Sequence, residues 1–247
     1  MNVFKAILDS IFPENYTCEL CGIEIFDGGR FCDECRKTVV FNDGVTCPVC
    51  GRMTDVPELC LDCKALAPLY DRAVSALDYS DGAKKLVLAF KSTRPYLKNY
   101  FADLLYKKCA QFTDAEAICF VPMTSKAQTK RGFNQAYLLA KELAKRMKLP
   151  LLKGAIRKVK DTAPQKSLRR TDREQNLKSC FKADRAVVKD KTLIVVDDVL
   201  TTGATADAVC GDYWTNFVKY GNPNGQTAEG DWKAYTPATP YVQELAK

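Results

Sequence analysis

The chain has 247 residues, 47% of them apolar and 27% charged, with 37 Lys+Arg against 30 Asp+Glu for a net charge of +7. That length holds one ordinary α/β domain plus a small module. Histidine is absent, which excludes imidazole bases and the serine and cysteine triads that need them, and leaves any metal to thiolates and carboxylates. No apolar run approaches the roughly 20 residues of a membrane span. The N-terminus, Met1 to Ser10, lacks the long apolar region and cleavage site of a secretory signal. A cytoplasmic location with reduced thiols and no membrane insertion is therefore expected.

Residues 1–63 are acidic, with 5 Lys+Arg against 11 Asp+Glu, a net −6, and hold eight of the twelve cysteines as four Cys-x-x-Cys pairs. These are Cys18 and Cys21, Cys32 and Cys35, Cys47 and Cys50, Cys60 and Cys63. Each pair presents two thiolates from one turn, and two pairs complete a closed tetrahedral zinc site, so two structural Zn²⁺ ions are expected. Gly22 and Gly51 follow the first and third pairs and let the backbone turn back toward the metal. Consecutive pairing closes the shorter loops and makes two tandem zinc ribbons; a cross-braced arrangement satisfies the same count. Metal then supplies stability that a 60-residue segment hardly gets from apolar burial. Redox-active disulfides are the less favoured alternative, since such motifs normally come singly at a helix start. Cys109, Cys119, Cys180 and Cys210 lack metal spacing and read as buried small apolar residues.

After this module, residues 70–79 read as a strand and 81–90 as an amphipathic helix carrying Leu86, Leu88 and Phe90. Pro95 interrupts the pattern, and 96–111 reads as a second helix with Leu97, Phe101, Leu104, Leu105 and Cys109 inward. Residues 117–121 form a short buried strand ending at Pro122. The box Arg131-Gly132-Phe133-Asn134-Gln135 leads into a helix over 136–147, on which Lys141, Lys145 and Lys148 share an exposed face. Strands alternating with helices predict a parallel α/β sheet. Residues 126–191 carry 20 Lys+Arg against 6 Asp+Glu, a net +14, which attracts polyanions.

Leu193 to Val196 is an apolar, β-branched run suited to a strand covered on both faces. Asp197 and Asp198 follow it, then Thr201, Thr202, Gly203, Ala204 and Thr205 enter a helix expected to run over 202–220. Open parallel sheets bind ligands at the carboxyl ends of their strands. Free N–H groups at the helix start, with Gly203 allowing close approach, suit a phosphate; the two carboxylates, solvated without ligand, suit a ribose diol, directly or through Mg²⁺. This stretch resembles the phosphoribosyl pyrophosphate (PRPP) loop of type I phosphoribosyltransferases. The resemblance implies that Asp197 and Asp198 are the catalytic acids on the ribose and that residues 201–205 hold the 5-phosphate.

Val121-Pro122, the Arg131–Gln135 box, and Thr162, Gln165, Arg173 and Asn176 ahead of Phe181 resemble the ComF family. The likeness runs from about residue 5 to residue 209 and includes the cysteine module. It implies an α/β fold with a type I phosphoribosyltransferase-like parallel sheet after a zinc-ribbon module, Mg²⁺ with PRPP as ligand, and partners in single-stranded DNA and other DNA-uptake proteins. By that resemblance residues 123–126 stand in the pyrophosphate loop and residues 161–176 form a flap. Lys126, Arg131, Arg169, Arg170 and Arg173 then neutralise pyrophosphate or hold the backbone of single-stranded DNA, with Phe133, Tyr137 or Phe181 as stacking partners.

From Gly211 the ComF pattern stops, and the sheet is expected to lack its C-terminal edge strand. Residues 211–247 resemble instead the C-terminal end of bacterial carboxylesterases, as in a recombined or misassembled reading frame. No esterase catalysis comes with them, because the chain has neither histidine nor Gly-x-Ser-x-Gly. The expected organisation is a zinc module over 1–66, a phosphoribosyltransferase-like domain over 67–210 and an atypical tail. Two functions fit: a ComF-like PRPP-binding protein that assists uptake of transforming DNA, or an active type I phosphoribosyltransferase acting on a small base or amine.

Overall fold

The computed structural model describes residues 17–26, 28–160 and 180–211. Two ribbons come first and repeat one backbone pattern. Cys18 N–H donates to Ile23 O and Cys47 N–H to Arg52 O, each at 2.8 Å, while Gly22 N–H and Gly51 N–H turn back onto Cys18 O and Cys47 O at 2.9 and 3.0 Å. In each ribbon the third cysteine immediately precedes a short helix, Cys32 before α1 (Asp33–Thr38) and Cys60 before α2 (Leu61–Leu66).

Residues 70–79 form no regular strand, contrary to expectation; only Leu77 makes an isolated bridge, to Phe41. The backbone of this stretch is taken up by the ribbons: Ala73 N–H donates to Val49 O at 2.6 Å, Asp78 N–H to Val40 O at 3.0 Å, and Ala76 O accepts from Asn42 N–H at 3.1 Å. It is a strap tied to the zinc module.

Helix α3 (Asp81–Ser92) buries Ala83, Leu86, Val87 and Phe90, the 3.6-residue stripe of an amphipathic helix. Leu88, grouped with Leu86 and Phe90 in the sequence, lies off that stripe and is exposed. Pro95 starts a single 3₁₀ turn, Pro95–Leu97, where its fixed φ and missing N–H cost nothing, and α4 (Lys98–Cys109) follows. Strand β1 (Ala117–Phe120), α5 (Ser125–Arg131) and α6 (Gln135–Met147) come next. Helix α6 ends at Lys148, which adopts the left-handed conformation two residues before Pro150.

The remaining elements are β2 (Ile156–Lys158), β3 (Phe181–Ala183), α7 (Arg185–Val188), β4 (Leu193–Val196) and a helix, α8, that begins at residue 204. Strands β1 and β4 pair in parallel, Ala117 opposite Leu193 through Phe120 opposite Val196. On the other edge of β1, Ile118 N–H donates to Pro150 O at 2.9 Å and Ile118 O accepts from Leu152 N–H at 2.8 Å, so residues 150–152 extend the parallel sheet. Strands β2 and β3 pair antiparallel.

Successive residues of β1 face opposite cores, as the two-residue period of a strand requires. Ile118 packs with Leu86, Phe90, Leu97, Phe101, Leu139 and Leu143, and the same cluster takes in Cys18, Ile25, Phe31 and Val39 of the first ribbon. Cys119 packs with Ile156, Cys180, Phe181, Val188 and Val209. The sheet therefore lies between two helical layers, with the first ribbon built into one of them. Polar contacts repeat that attachment: Tyr96 donates to Glu19 Oε2 at 2.9 Å, and Lys108 pairs with Asp43 at 2.8 Å.

Candidate functional site

The eight module cysteines gather into two clusters, Cys18, Cys21, Cys32 and Cys35 and then Cys47, Cys50, Cys60 and Cys63, each with all ligand atoms within 4.8 Å of one another. Consecutive pairing is thus the arrangement adopted. Cys21 Sγ lies 3.8 Å from Cys32 Sγ and Cys50 Sγ 3.6 Å from Cys60 Sγ. A tetrahedron with Zn–S bonds of about 2.3 Å has edges of roughly 3.8 Å, so both clusters fit zinc without rearrangement. Burial opposes ionisation of Cys18 and Cys47, but backbone N–H donors outweigh it and bring both thiols down to about 6. Burial and crowding by neighbouring thiols push Cys35 up to about 12. Such a set of thiols ionises fully only around a cation, whose binding releases the remaining thiol protons, and structural zinc fits that need. Cys109, Cys119 and Cys180 are buried apolar residues as expected, while Cys210 is half-buried; burial pushes Cys109 up to about 11 and Cys119 to about 12.

A second centre lies at the carboxyl ends of β1 and β4. Because these parallel strands are adjacent and Val121 N–H donates to Val196 O at 2.9 Å, the loop after β1 and the loop after β4 emerge side by side. The first leads through Pro122 to Thr124, whose side chain caps α5 by accepting from Ala127 N–H at 3.3 Å. Lys126 and Arg131 both stand on this seven-residue helix and are exposed. The second loop carries Asp197 and Asp198, then turns through Gly203 at φ +81° into α8. Thr202 Oγ1 accepts from Ala204 N–H at 3.3 Å, capping α8.

Contrary to expectation, the carboxylates are not left to solvent. Asp198 makes an ion pair with Lys91, at the end of α3, at 2.9 Å. Asp197 Oδ1 accepts from Asp198 N–H at 2.8 Å. Although part of its surface is accessible, Asp197 is densely surrounded by protein, and burial reinforced by the Asp198 charge pushes it up to about 7 against the pull of that N–H, Lys91 and Lys158. A β-carbon on Gly203 would come within 2.8 Å of the Tyr70 hydroxyl. The strap thus closes over the turn, and Leu69 N–H fastens it by donating to Asp207 Oδ1 at 2.8 Å.

Arg169, Arg170, Arg173 and the flap over 161–176 lie outside the described residues, as does the tail from 212. Phe181 is not available for stacking: it is 2% exposed, fills the second core, and its ring is covered by Lys158 at 5.6 Å. Tyr137 stands edge-on to Phe120 with ring centroids 5.2 Å apart. Among the described residues no helix is long and apolar enough to cross a membrane.

The model of the double zinc ribbon domain matches residues 7–64, and that of the phosphoribosyl transferase domain matches residues 134–211. Competence protein F of Haemophilus influenzae is 31% identical over 212 residues, which cover 79% of this chain and 89% of that protein. The chain belongs to the ComF family. DNA utilization protein YhgH of Escherichia coli K12 is 28% identical over 76% of this chain and 86% of its own length. Competence protein ComFC of Bacillus subtilis is 26% identical over 71% and 74%. No solved structure matches.

Around the loops of this ComF chain, Asn134 and Gln135 of the Arg131–Gln135 box take a bracing role that the motif alone did not reveal. Asn134, 7% exposed, does two jobs at once: Oδ1 accepts from Tyr137 N–H at 3.3 Å to cap α6, and Nδ2 donates to Val121 O at 3.1 Å at the end of β1. Gln135, 1% exposed, accepts from Arg131 Nη1 at 3.0 Å. The Arg131–Gln135 box is therefore largely a brace that fixes the loop after β1. Lys91 and Tyr70 come from elements whose sequences carry no ligand motif, and only tertiary contact brings them to the site.

Proposed function

We propose that this ComF chain binds PRPP with Mg²⁺ at the paired loops and handles single-stranded DNA during its uptake into the cytoplasm. The observation that carries the reading is the emergence of the acidic pair and the glycine turn of β4 beside the basic loop and helix of β1, in a chain related over most of its length to competence protein F. Asp197 and Asp198 would hold the ribose hydroxyls, whose O–H groups donate to the carboxylates. The N–H groups around Gly203 and Ala204, with Thr201, Thr202 and Thr205, would hold the 5-phosphate at the start of α8. Lys126 and Arg131 would face the pyrophosphate. Carboxylate and phosphate oxygens suit Mg²⁺, which neutralises leaving-group charge when bound.

For DNA, the support is the +14 balance of residues 126–191, which suits a phosphate backbone without base readout. Titrating a fluorescent single-stranded oligonucleotide at increasing salt tests it. Each phosphate contact contributes about −0.7 to the log-log slope, so binding should weaken steeply. Arg169, Arg170 and Arg173 changed together to alanine should weaken it for every sequence alike. Salt-independent binding would contradict the reading. A type I transferase acting on a small base or amine is the second reading; the intact acidic pair favours it, and release of pyrophosphate from PRPP with a small acceptor present would establish it.

A further inference from the structure

Lys91 ends α3, outside both loops, yet its ammonium lies 2.9 Å from Asp198 Oδ1 in a pair whose side chains are only 25% and 16% exposed. A surface ion pair of this kind would contribute little; a half-buried one at the mouth of a ligand site restricts how the carboxylate is presented. Asp198 has two oxygens. With Oδ1 held by Lys91, the carboxylate plane is fixed and its remaining lone pairs face a ligand hydroxyl in one orientation.

The lysine is itself held from behind. Leu86, Val87 and Phe90 of α3 are buried in the first core, which fixes the helix that carries it. Gln135 Nε2 approaches Lys91 O at 3.5 Å, and Gln135 Oε1 takes Arg131 Nη1 at 3.0 Å. A chain of contacts thus runs from Arg131, beside the β1 loop, through Gln135 to the backbone of Lys91 and on to Asp198 in the β4 loop.

We propose that Lys91 is a positioning residue of the sugar-phosphate site, clamping Asp198 through Oδ1 so that the carboxylate meets the ribose diol in one orientation. This rests on the PRPP reading above. The role needs a cationic donor within reach of Oδ1, so an arginine retains it and an isosteric apolar side chain does not.

The test is a calorimetric titration of PRPP with Mg²⁺ into the full-length parent, Lys91→Met, Lys91→Arg, Asp198→Asn and the double variant Lys91→Met/Asp198→Asn, with thermal unfolding of each recorded alongside. Lys91→Met should weaken PRPP at least about tenfold, the order of one charge-assisted hydrogen bond. Lys91→Arg should stay within about threefold of the parent, and Lys91→Met should add less than about threefold in the Asp198→Asn background, because the contact it removes is already lost there. If Lys91→Met does not fold, Lys91→Gln replaces it with the same thresholds. Unchanged binding in the neutral variant, or full additivity with Asp198→Asn, overturns the proposal while leaving the PRPP reading standing. A parent that binds no PRPP removes the reading and the proposal together.

Discussion

Asp197 and Asp198 are adjacent in sequence but chemically unequal. Asp198 has a lysine counter-ion, whereas Asp197 has burial and a neighbouring negative charge, which push it up to about 7. An acid whose folded pKa is raised above its unfolded value of about 3.9 favours the protonated state, so it destabilises the fold progressively as pH rises from about 4 to 7, and fully above that. Asp197→Asn removes the charge at constant size. Its thermal unfolding midpoint should therefore exceed that of the parent at pH 8, with the difference shrinking toward zero at pH 4. An Asn variant less stable than the parent at pH 8 would show that the carboxylate is stabilised by its surroundings. Under the proposed PRPP reading, that penalty is the stability lost by keeping a carboxylate for the ligand.

At the scale of elements, the same contrast appears in α6, where polar Glu142 is 7% exposed. Burial raises its pKa, but Lys145 at 3.2 Å and Lys98 at 3.4 Å outweigh that and hold it below the usual carboxylate range. Glu142→Gln should cost about 1–3 kcal/mol in urea unfolding at pH 7, between the values for exposed and buried pairs. The depressed pKa places this stabilisation above the unfolded value near 4.3, and it is lost as pH falls through the folded value, so parent and variant should converge at low pH. Undiminished divergence at low pH would assign the loss to packing. The helices over 81–92 and 135–147 were legible in the sequence because their apolar stripes and end signals coincide, and β1 and β4 because buried parallel strands read as continuous apolar runs. Strands β2 and β3, three residues each, are too short to show a period. Residues 70–79 have strand-like composition, but hydrogen bonds to the ribbons claimed their backbone, a tertiary outcome that local pattern does not encode.

For the whole molecule, the ribbon spacing announced two zinc sites, yet not their attachment to the rest. Cys18, Ile25, Phe31 and Val39 share a core with Phe90, Leu97 and Phe101, and the strap fastens the second ribbon to α8 through Leu69 and Tyr70. Lys91 and Tyr70 were illegible for the same reason: their place depends on how α3 and the strap pack, not on any motif. Stripping zinc with a chelator should therefore lower the unfolding midpoint of the whole chain in one cooperative transition and weaken PRPP binding. A phosphoribosyl transferase part that melts unchanged after complete zinc loss, followed by metal analysis, would show the module to be independent.

If the paired loops form a PRPP site, its affinity depends on both carboxylates. Calorimetric titration of PRPP with Mg²⁺ into the parent and into Asp197→Asn/Asp198→Asn tests it most directly. The parent should bind, and the double variant, shown by thermal unfolding to be folded at the titration temperature, should lose about 2–4 kcal/mol, the scale of charge-assisted hydrogen bonds. Equal binding by the two proteins, or none by the parent, would contradict it.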